Sequence, residues 1–251
     1  SFLGFDVDGY ILVNMDAALL ANEVDLCVHS LKDVPVLENP ALPIGAYPRR
    51  APACDGMVLP KQQSFADWNQ SLPVGSASSR RTLQFQMQYP ACTVHPIRGN
   101  VLTRLEKLDR GEYGALILAE AGLQRLGLEH RITRRFSPAE IVPAAGQGIL
   151  AVQGRAGEYT DLLQRLNDPQ AAFCAKIERA VSKALNGDCT APIGAYADLQ
   201  GEHVTLYGFY AEDGVGIKST LTGSVTQAES LANTFAEQLK QQVQAKKEAM
   251  L

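Results

Sequence analysis

The 251-residue sequence contains no apolar run of the roughly eighteen residues that a membrane-spanning helix needs. Its five cysteines, at positions 27, 54, 92, 174 and 189, are odd in number and lack the Cys-x-x-Cys spacing of a zinc site. The chain also contains no glycine-rich P-loop, no internal repeat and no low-complexity stretch. We therefore expect a globular protein of the reducing cytoplasm that binds no metal and no membrane.

The overall charge is mildly acidic, with a formal net charge of -4. A surface of this kind is not built to attract polyanions, so we expect no nucleic-acid partner. Arginines nevertheless cluster locally, and this predicts a defined anionic ligand. For any single arginine, a solvated helix face is the alternative. The clusters are Arg49-Arg50, Arg80-Arg81, Arg98, Arg104, Arg125 and Arg134-Arg135.

Short apolar runs alternate with helical patterns in the first part of the chain. Strands are expected at 24–29, 43–47, 56–59, 92–95 and 115–119, and helices at 79–88, 100–109 and 119–127. This alternation predicts an α/β fold with mostly parallel sheets.

Two segments, 47–52 and 142–148, have the prolines and glycines of crossings between lobes. A chain that leaves one lobe, builds a second and returns forms a cleft between them, which is a favoured place for ligands. We predict that residues 1–48 and 149–167 form domain 1 and that residues 53–143 form domain 2. Domain 1 is expected to be incomplete at its N-terminus. A helix from 169 to about 185, followed by alternating strands, predicts a small α+β domain 3 at 169–251. Thr226 and Glu229 have the spacing of a capping box for its last helix.

Lys32 and Asp33 follow a predicted buried strand in the segment His29-Ser-Leu-Lys-Asp-Val-Pro35. Ligands bind beyond the carboxyl ends of strands in open α/β sheets, so both residues are candidates for the site. Taken alone, adjacent lysine and aspartate on a loop favour the alternative, a structural ion pair or a turn.

A second junction between a strand and a helix carries Ser76, Ser78, Arg80 and Arg81. Backbone N–H groups at a helix N-terminus bind anions, hydroxyls add donors, and guanidinium groups match carboxylates. The segment is therefore a candidate anion cradle. The alternative is an N-capping serine followed by exposed arginines.

The same scheme recurs twice further along the chain. Arg98 ends a predicted strand, Asn100 is a candidate cap, and Arg104 lies on the next helix, while Arg125 lies on a third helix. Three such junctions would direct arginines into one cleft. A cleft of this kind suits a ligand with many carboxylates.

Cys189 lies in the loop Asn186-Gly-Asp-Cys-Thr-Ala-Pro-Ile-Gly194, which follows a long helical pattern. A thiol on such a loop can be reached by a ligand, whereas most free cysteines are small core residues.

Taken together and in this order, these segments resemble the porphobilinogen deaminase (hydroxymethylbilane synthase) family. The resemblance covers nearly the whole chain and implies three domains, two of them like the lobes of periplasmic binding proteins. The matching segments are His29–Pro35, Gly75–Arg81, Ile97–Asn100, Thr103–Asp109, Ala121–Gly127, Pro143–Gly148, Glu178–Ala180 and Gly187–Gly194.

The resemblance also implies chemistry: head-to-tail condensation of four porphobilinogen molecules, with loss of ammonia, to hydroxymethylbilane in tetrapyrrole (haem) biosynthesis. A dipyrromethane cofactor would be joined to Cys189 by a thioether. Asp33 would be catalytic, helping to eject ammonia and stabilising the positive azafulvene. The implied cofactor-binding residues are Cys189, Lys32, Ser76, Ser78, Arg80, Arg81 and Arg104, and Arg98, Arg104 and Arg125 would bind substrate and the growing polypyrrole chain. The family is typically monomeric.

The match departs from the family pattern at several positions. The N-terminal strand and helix of the family are lacking, so we expect a fragment or a reduced member. Asp8 and Gly4 stand where lysines are usual, Ala77 replaces a serine, and Asp188 replaces a glycine. These changes favour an alternative, namely a truncated or inactive homologue that binds pyrrole carboxylates without turnover. The cysteine loop argues against a third interpretation, a solute binder that shares only the fold.

Overall fold

The protein is seen in a computed structural model that describes residues 10–37, 39–185 and 192–250, with side chains described from Met15 onward. The helices are α1 Tyr10–Leu20, α2 Ser79–Gln88, α3 Val101–Asp109, α4 Glu120–Arg125, α5 Thr160–Leu166, α6 Pro169–Ala184 and α7 Ala228–Glu248. The strands are β1 Leu26–Ser30, β2 Ile44–Ala46, β3 Asp55–Val58, β4 Val74–Gly75, β5 Val94–His95, β6 Ala115–Ala119, β7 Ile132–Arg135, β8 Leu150–Gly154, β9 Ile193–Gln200, β10 His203–Glu212 and β11 Val215–Ser224. Within these ranges, no helix is both long and apolar enough to cross a bilayer.

The first sheet has the strand order β1-β8-β2, and both of its pairings are antiparallel. Strand β2 leads out of this sheet and β8 returns to it, so the two run in opposite directions. Leu31 follows β1 and packs with Ile149 and Ala151 of the returning segment. This packing holds the start of the loop after β1 against the sheet.

The second sheet has the order β5-β4-β6-β3-β7. Strand β4 is parallel to both β5 and β6, whereas β3 is antiparallel to β6 and β7. The carboxyl ends of β4, β5 and β6 therefore share one edge, and each of these strands is followed by a helix, α2, α3 and α4 respectively. This edge is where an α/β sheet usually binds its ligand.

The predicted α/β class with a separate C-terminal α+β unit is confirmed. The expectation of mostly parallel sheets holds only around β4 and is wrong for the other described pairings. The reason is topological: each antiparallel pairing in the first two sheets contains β3 or β8, the strands that follow the two crossings. The predicted domain boundaries remain a prediction.

The third sheet is an antiparallel meander of order β11-β10-β9, covered by α6 and α7. Its core joins Ile177 and Val181 of α6 to Phe235 and Leu239 of α7. Helix α7 begins at Ala228 with no side-chain cap, and the Ser224 hydroxyl instead accepts a hydrogen bond from the Thr226 N–H. The predicted Thr226–Glu229 capping box is therefore wrong, because a turn of 3₁₀ helix precedes α7.

The two crossings, residues 47–52 and 142–148, contact each other through their backbones. The Ala51 N–H donates to the Gly148 carbonyl at 3.0 Å, and a Cβ on Gly148 would lie 2.4 Å from the Ala51 carbonyl oxygen. Gly148 also has φ of +87°, which favours glycine. Only a residue without a side chain fits here, so the glycine in the predicted crossing is explained by a close approach of two backbones.

Candidate active site

Arg80 and Arg81, at the start of α2, converge on one buried carboxylate. Arg80 Nη1 lies 2.8 Å from Asp55 Oδ2, and Arg81 Nε lies 2.9 Å from Asp55 Oδ1. Asp55 is fully buried, and the two arginines are only 4% and 8% exposed. The alternative of solvated arginines is thus wrong for this pair. Burial alone would raise the pKa of Asp55, but the two guanidinium groups outweigh it and hold the pKa well below its usual range.

Gln147, from the returning crossing, completes this cluster. Its side-chain oxygen accepts from Arg81 Nη2 at 3.2 Å and from Arg80 Nη2 at 3.4 Å. Its amide nitrogen donates to Asp55 at 2.9 Å and to the Ala53 carbonyl at 2.6 Å. The arginine pair is thus held by Asp55 at the start of β3 and by Gln147 from the returning crossing.

Lys32 lies near the arginine pair, and Asp33 is the next residue in the chain. They form a turn of 3₁₀ helix directly after β1, in which Lys32 is half-buried and Asp33 is exposed. Burial lowers the pKa of Lys32, the positive charge of Arg81 lowers it further, and Asp33 and Asp55 oppose the shift. The structure therefore places Lys32 near two arginines, with the exposed Asp33 next to it in the chain, and a role of these residues toward a ligand stays a prediction.

Ser76 and Ser78 shape the turn that precedes the arginines. Ser78 is the N-cap of α2, with its hydroxyl 3.5 Å from the Arg81 N–H. The Ser76 hydroxyl accepts from the Ser78 N–H at 3.3 Å and is buried. The capping interpretation is confirmed for Ser78, and a role of either serine toward a ligand stays a prediction.

The remaining predicted arginines share the same sheet edge without joining the cluster through any described contact. Arg125 is exposed and donates to the Gly148 carbonyl at 3.2 Å, which places it at the crossing. Arg104 Nε donates to the Gly99 carbonyl at 2.6 Å, and Arg98 is exposed in the loop after β5. Asn100 caps α3 as predicted, accepting from the Thr103 N–H.

A second buried ion pair ties the crossings to α6. Arg50 binds Glu178 through both terminal nitrogens, at 2.6 and 3.1 Å, and Arg50 Nε donates to the Gln147 carbonyl. Glu178 is fully buried and also accepts from the Gly146 and Ala197 N–H groups. Burial works to lower the pKa of Arg50, but the Glu178 carboxylate outweighs it, so the pKa is raised.

The neighbouring residue on α6, Arg179, anchors the loop that carries Lys32 and Asp33. Its guanidinium donates to the Val34 carbonyl at 3.1 Å and to the Pro35 carbonyl at 2.7 Å. One helix thus fixes both the crossings and the end of the predicted catalytic loop.

Sequence reasoning gave no role to Asp55 or Gln147 and none to Glu178. Gln147 and Glu178 lie in segments that resemble the family, so the sequence marked these segments. It did not show which residues the two side chains would contact. Asp55, a charge at the start of a buried strand, was the only local signal for a carboxylate partner of the arginines.

Cys189, together with Asp188, lies outside the described residues, as do Gly4 and Asp8. The described residues can still be compared with the cofactor expected from the sequence. A dipyrromethane carries several carboxylates, and such a group requires cationic donors. Lys32 after β1 and Arg81 and Arg125 at the edge of the second sheet are donors of this kind. The residues therefore fit the group.

Two family models match the chain. The porphobilinogen deaminase dipyromethane cofactor binding domain matches residues 5–162, and the porphobilinogen deaminase C-terminal domain matches residues 172–241. The two matches follow one another along the chain, in agreement with the order of the motifs.

Individual relatives belong to the same family as these two models. The chain is 49% identical to the porphobilinogen deaminase of Acetivibrio thermocellus over 229 residues, 91% of this chain and 78% of the relative. It is 44% identical to that of Alkaliphilus oremlandii over 92% of this chain and 78% of the relative. Among solved structures, a periplasmic binding protein from Salmonella typhimurium is 16% identical to this chain, with a TM-score of 0.31. The match covers 62% of this chain and 72% of that protein. The family matches and these relatives show that the chain belongs to the porphobilinogen deaminase family.

Proposed function

We propose that this chain condenses four porphobilinogen molecules head to tail, with loss of ammonia, to give hydroxymethylbilane, and that Asp33 is its catalytic carboxylate. The observation that carries this proposal is the convergence of Lys32, the neighbour of Asp33 in the chain, with Arg80 and Arg81 beyond the end of β1. The family match supplies the reaction, and this convergence supplies the residues that would perform it.

Asp33 has the chemistry that the first step needs. When the C–N bond of porphobilinogen breaks, ammonia leaves and positive charge remains on the pyrrole and its methylene carbon. A carboxylate beside this developing charge stabilises the transition state, and it can also accept a hydrogen bond from the pyrrole N–H. Asp33 is exposed at the end of its turn, so it can be reached by a substrate.

The cations beside Asp33 would bind the acetate and propionate groups of the pyrroles. Guanidinium groups bind carboxylates through paired hydrogen bonds and so fix the orientation of each ring. We assign Lys32 and Arg81 to this role, and Arg80, Ser76, Ser78 and Arg104 would complete the cofactor site. We assign Arg98, Arg104 and Arg125 to the substrate and the growing chain.

Dipyrromethane, attached to Cys189, supplies the pyrrole end to which new rings are added. Cys189 follows α6 in sequence, and α6 carries Glu178 and Arg179, which hold the crossings and the Asp33 loop. Attachment near this helix would keep the cofactor close to the residues that bind it.

We further propose that the protein acts as a monomer in the cytoplasm, built from the three predicted domains 1–48 with 149–167, 53–143 and 169–251. Cys27, Cys54, Cys92 and Cys174 form no disulfide among the described residues, which agrees with a reducing compartment. The spread of the three sheets along the chain agrees with these boundaries.

The test is an intact mass of the purified protein together with product formation, with Cys189→Ser as the first control. We expect excess mass equal to two linked pyrroles, lost in Cys189→Ser, and formation of hydroxymethylbilane. Asp33→Asn should keep the added mass or acquire it slowly, and lose at least about a hundredfold in kcat.

The matched control is Asp161→Asn, which removes one exposed carboxylate on α5 and should leave turnover unchanged. A cofactor-loaded protein without turnover would support the inactive homologue instead. A bare polypeptide mass after incubation with porphobilinogen would contradict the proposal.

A further inference from the structure

The buried carboxylate of Asp55 has no assigned part in the reaction, although it touches both arginines of the predicted cofactor site. We propose that Asp55 is a positioning residue, which fixes Arg80 and Arg81 as a rigid pair of carboxylate-binding groups without contacting the ligand itself. This inference rests on the proposed function, because it assumes that the two arginines bind pyrrole carboxylates.

The geometry of Asp55 is that of a holder shared by two side chains. Oδ2 meets Arg80 Nη1 at 2.8 Å, while Oδ1 meets Arg81 Nε at 2.9 Å and Arg81 Nη2 at 2.8 Å. A carboxylate that only neutralised one cation would need one partner. Asp55 instead fixes the separation and the rotation of two guanidinium planes that come from adjacent residues of one helix turn.

Burial excludes a direct role toward the ligand. Asp55 is completely inaccessible, so neither substrate nor cofactor reaches its oxygens without a rearrangement. Its negative charge also has the wrong sign for a pyrrole carboxylate. Its effect on binding must therefore pass through the arginines.

The contacts of Arg81 leave it able to act on a ligand while it is held. Nε and Nη2 are used by Asp55 and Gln147, and no hydrogen bond from Nη1 is seen among the described residues. Lys32 is close enough for the Arg81 charge to lower its pKa. Asp55 thus fixes Arg81 through Nε and Nη2 and leaves Nη1 available to a ligand.

Desolvation explains why a fixed carboxylate is required. Two neighbouring buried guanidinium groups repel each other, and without an anion one of them would turn to solvent. Placing Asp55 at the first residue of β3 attaches the anion to the rigid sheet rather than to a loop. Arginines held before the ligand arrives lose little freedom when it binds.

The experiment measures the rate of cofactor loading in apo-protein given limiting porphobilinogen, followed by intact mass, in a double-mutant cycle. The variants are Asp55→Asn, Arg81→Gln and the double variant, with Asp161→Asn as a charge-matched surface control. We expect Asp55→Asn to load at least about tenfold more slowly, because a misplaced binding group costs that much or more. The losses should not add fully in the double variant, because part of the effect of Asp55 passes through Arg81.

Two results would overturn the inference: loading by folded Asp55→Asn within twofold of the native chain, or losses that add fully in the double variant. If Asp55→Asn does not fold, Gln147→Ala replaces it, since it removes the second holder and leaves no buried carboxylate unpaired. Loading by Gln147→Ala at the native rate would then count against positioning, and slower loading would support it. Failure of the native chain itself to acquire the cofactor would contradict the proposed function, which keeps the two failures distinct.

Discussion

Arg50 and Glu178, separated by 128 positions in the sequence, form a two-point ion pair with nitrogen–oxygen distances of 2.6 and 3.1 Å. Arg50 lies on the outgoing crossing and Glu178 on α6, so the pair connects the crossings to the C-terminal unit. Tyr196 of β9 lies under the guanidinium, 4.9 Å from its carbon to the ring centre, and burial raises the pKa of this tyrosine to about 12. The phenol therefore stays neutral beside the pair.

Removing Glu178 should destabilise the protein strongly. We expect Glu178→Gln to lower the free energy of unfolding by about 3 kcal/mol or more, because Arg50 would be left buried without its anion. Urea unfolding followed by circular dichroism measures this. Glu112→Gln is the matched control, since the Arg110–Glu112 pair is exposed and its loss should change stability by less than about 0.5 kcal/mol. Equal effects of the two variants would contradict the prediction.

Stability should fall in acid partly through Asp55. The pKa of this carboxylate is depressed in the folded protein, so its contribution is fully present above its ordinary pKa of about 3.9 and is lost as pH falls toward the folded value. The unfolded chain takes up the proton first, and this favours unfolding below about pH 4.

Urea midpoints at about pH 5, 4 and 3 test this dependence. The native protein should lose more stability over this window than Asp55→Asn, which lacks the titrating group. Parallel loss in the two proteins would show that other carboxylates account for the whole acid dependence.

Gly148→Ala should disrupt the contact between the crossings. Its Cβ would lie 2.4 Å from the Ala51 carbonyl oxygen, and its φ of +87° is strained for alanine. We expect a loss of at least about 2 kcal/mol in thermal or urea unfolding. Gly122→Ala is the control, because that glycine is helical and nothing lies within 4 Å of the added carbon. It should be neutral or stabilising by up to about 1 kcal/mol.

Cys54 and Cys174 should resist alkylation in the folded protein. Burial raises the pKa of each thiol to about 11, so little reactive thiolate exists near neutral pH. Labelling with iodoacetamide at about pH 7.5, followed by peptide mass spectrometry, should be at least about tenfold slower at both residues than in urea. Native labelling of Cys54 at the urea rate would mean that its surroundings open readily.

Local patterns predicted most elements of the fold. The buried run of β6 has the bounds expected, α2 begins after its serine cap, and α6 begins at Pro169 as expected. Helix α5 was missed because it begins after Tyr159, which has a left-handed backbone and provides no side-chain cap. Strand β7 was missed because its residues are half-buried or exposed, and so give no apolar run.

The candidate site could be predicted from the sequence only in part. The residues able to bind anions could be named from their types and their positions after strands. Their partners could not, because Asp55 lies 25 positions from Arg80 and 92 from Gln147. Only the meeting of the two crossings brings these groups together, and no local pattern encodes that meeting.

The position of Glu178 has a consequence for anyone who divides this chain into separately expressed pieces. A piece beginning at Pro169 would contain a carboxylate from the middle of α6 but neither Arg50 nor the Gly146 N–H that accompany it. The complementary piece would expose Arg50 and release the Val34–Pro35 loop from Arg179. Each fragment would thus contain a charged group of the Arg50–Glu178 pair without its partner. Mixing the two fragments should restore this ion pair by reassembly.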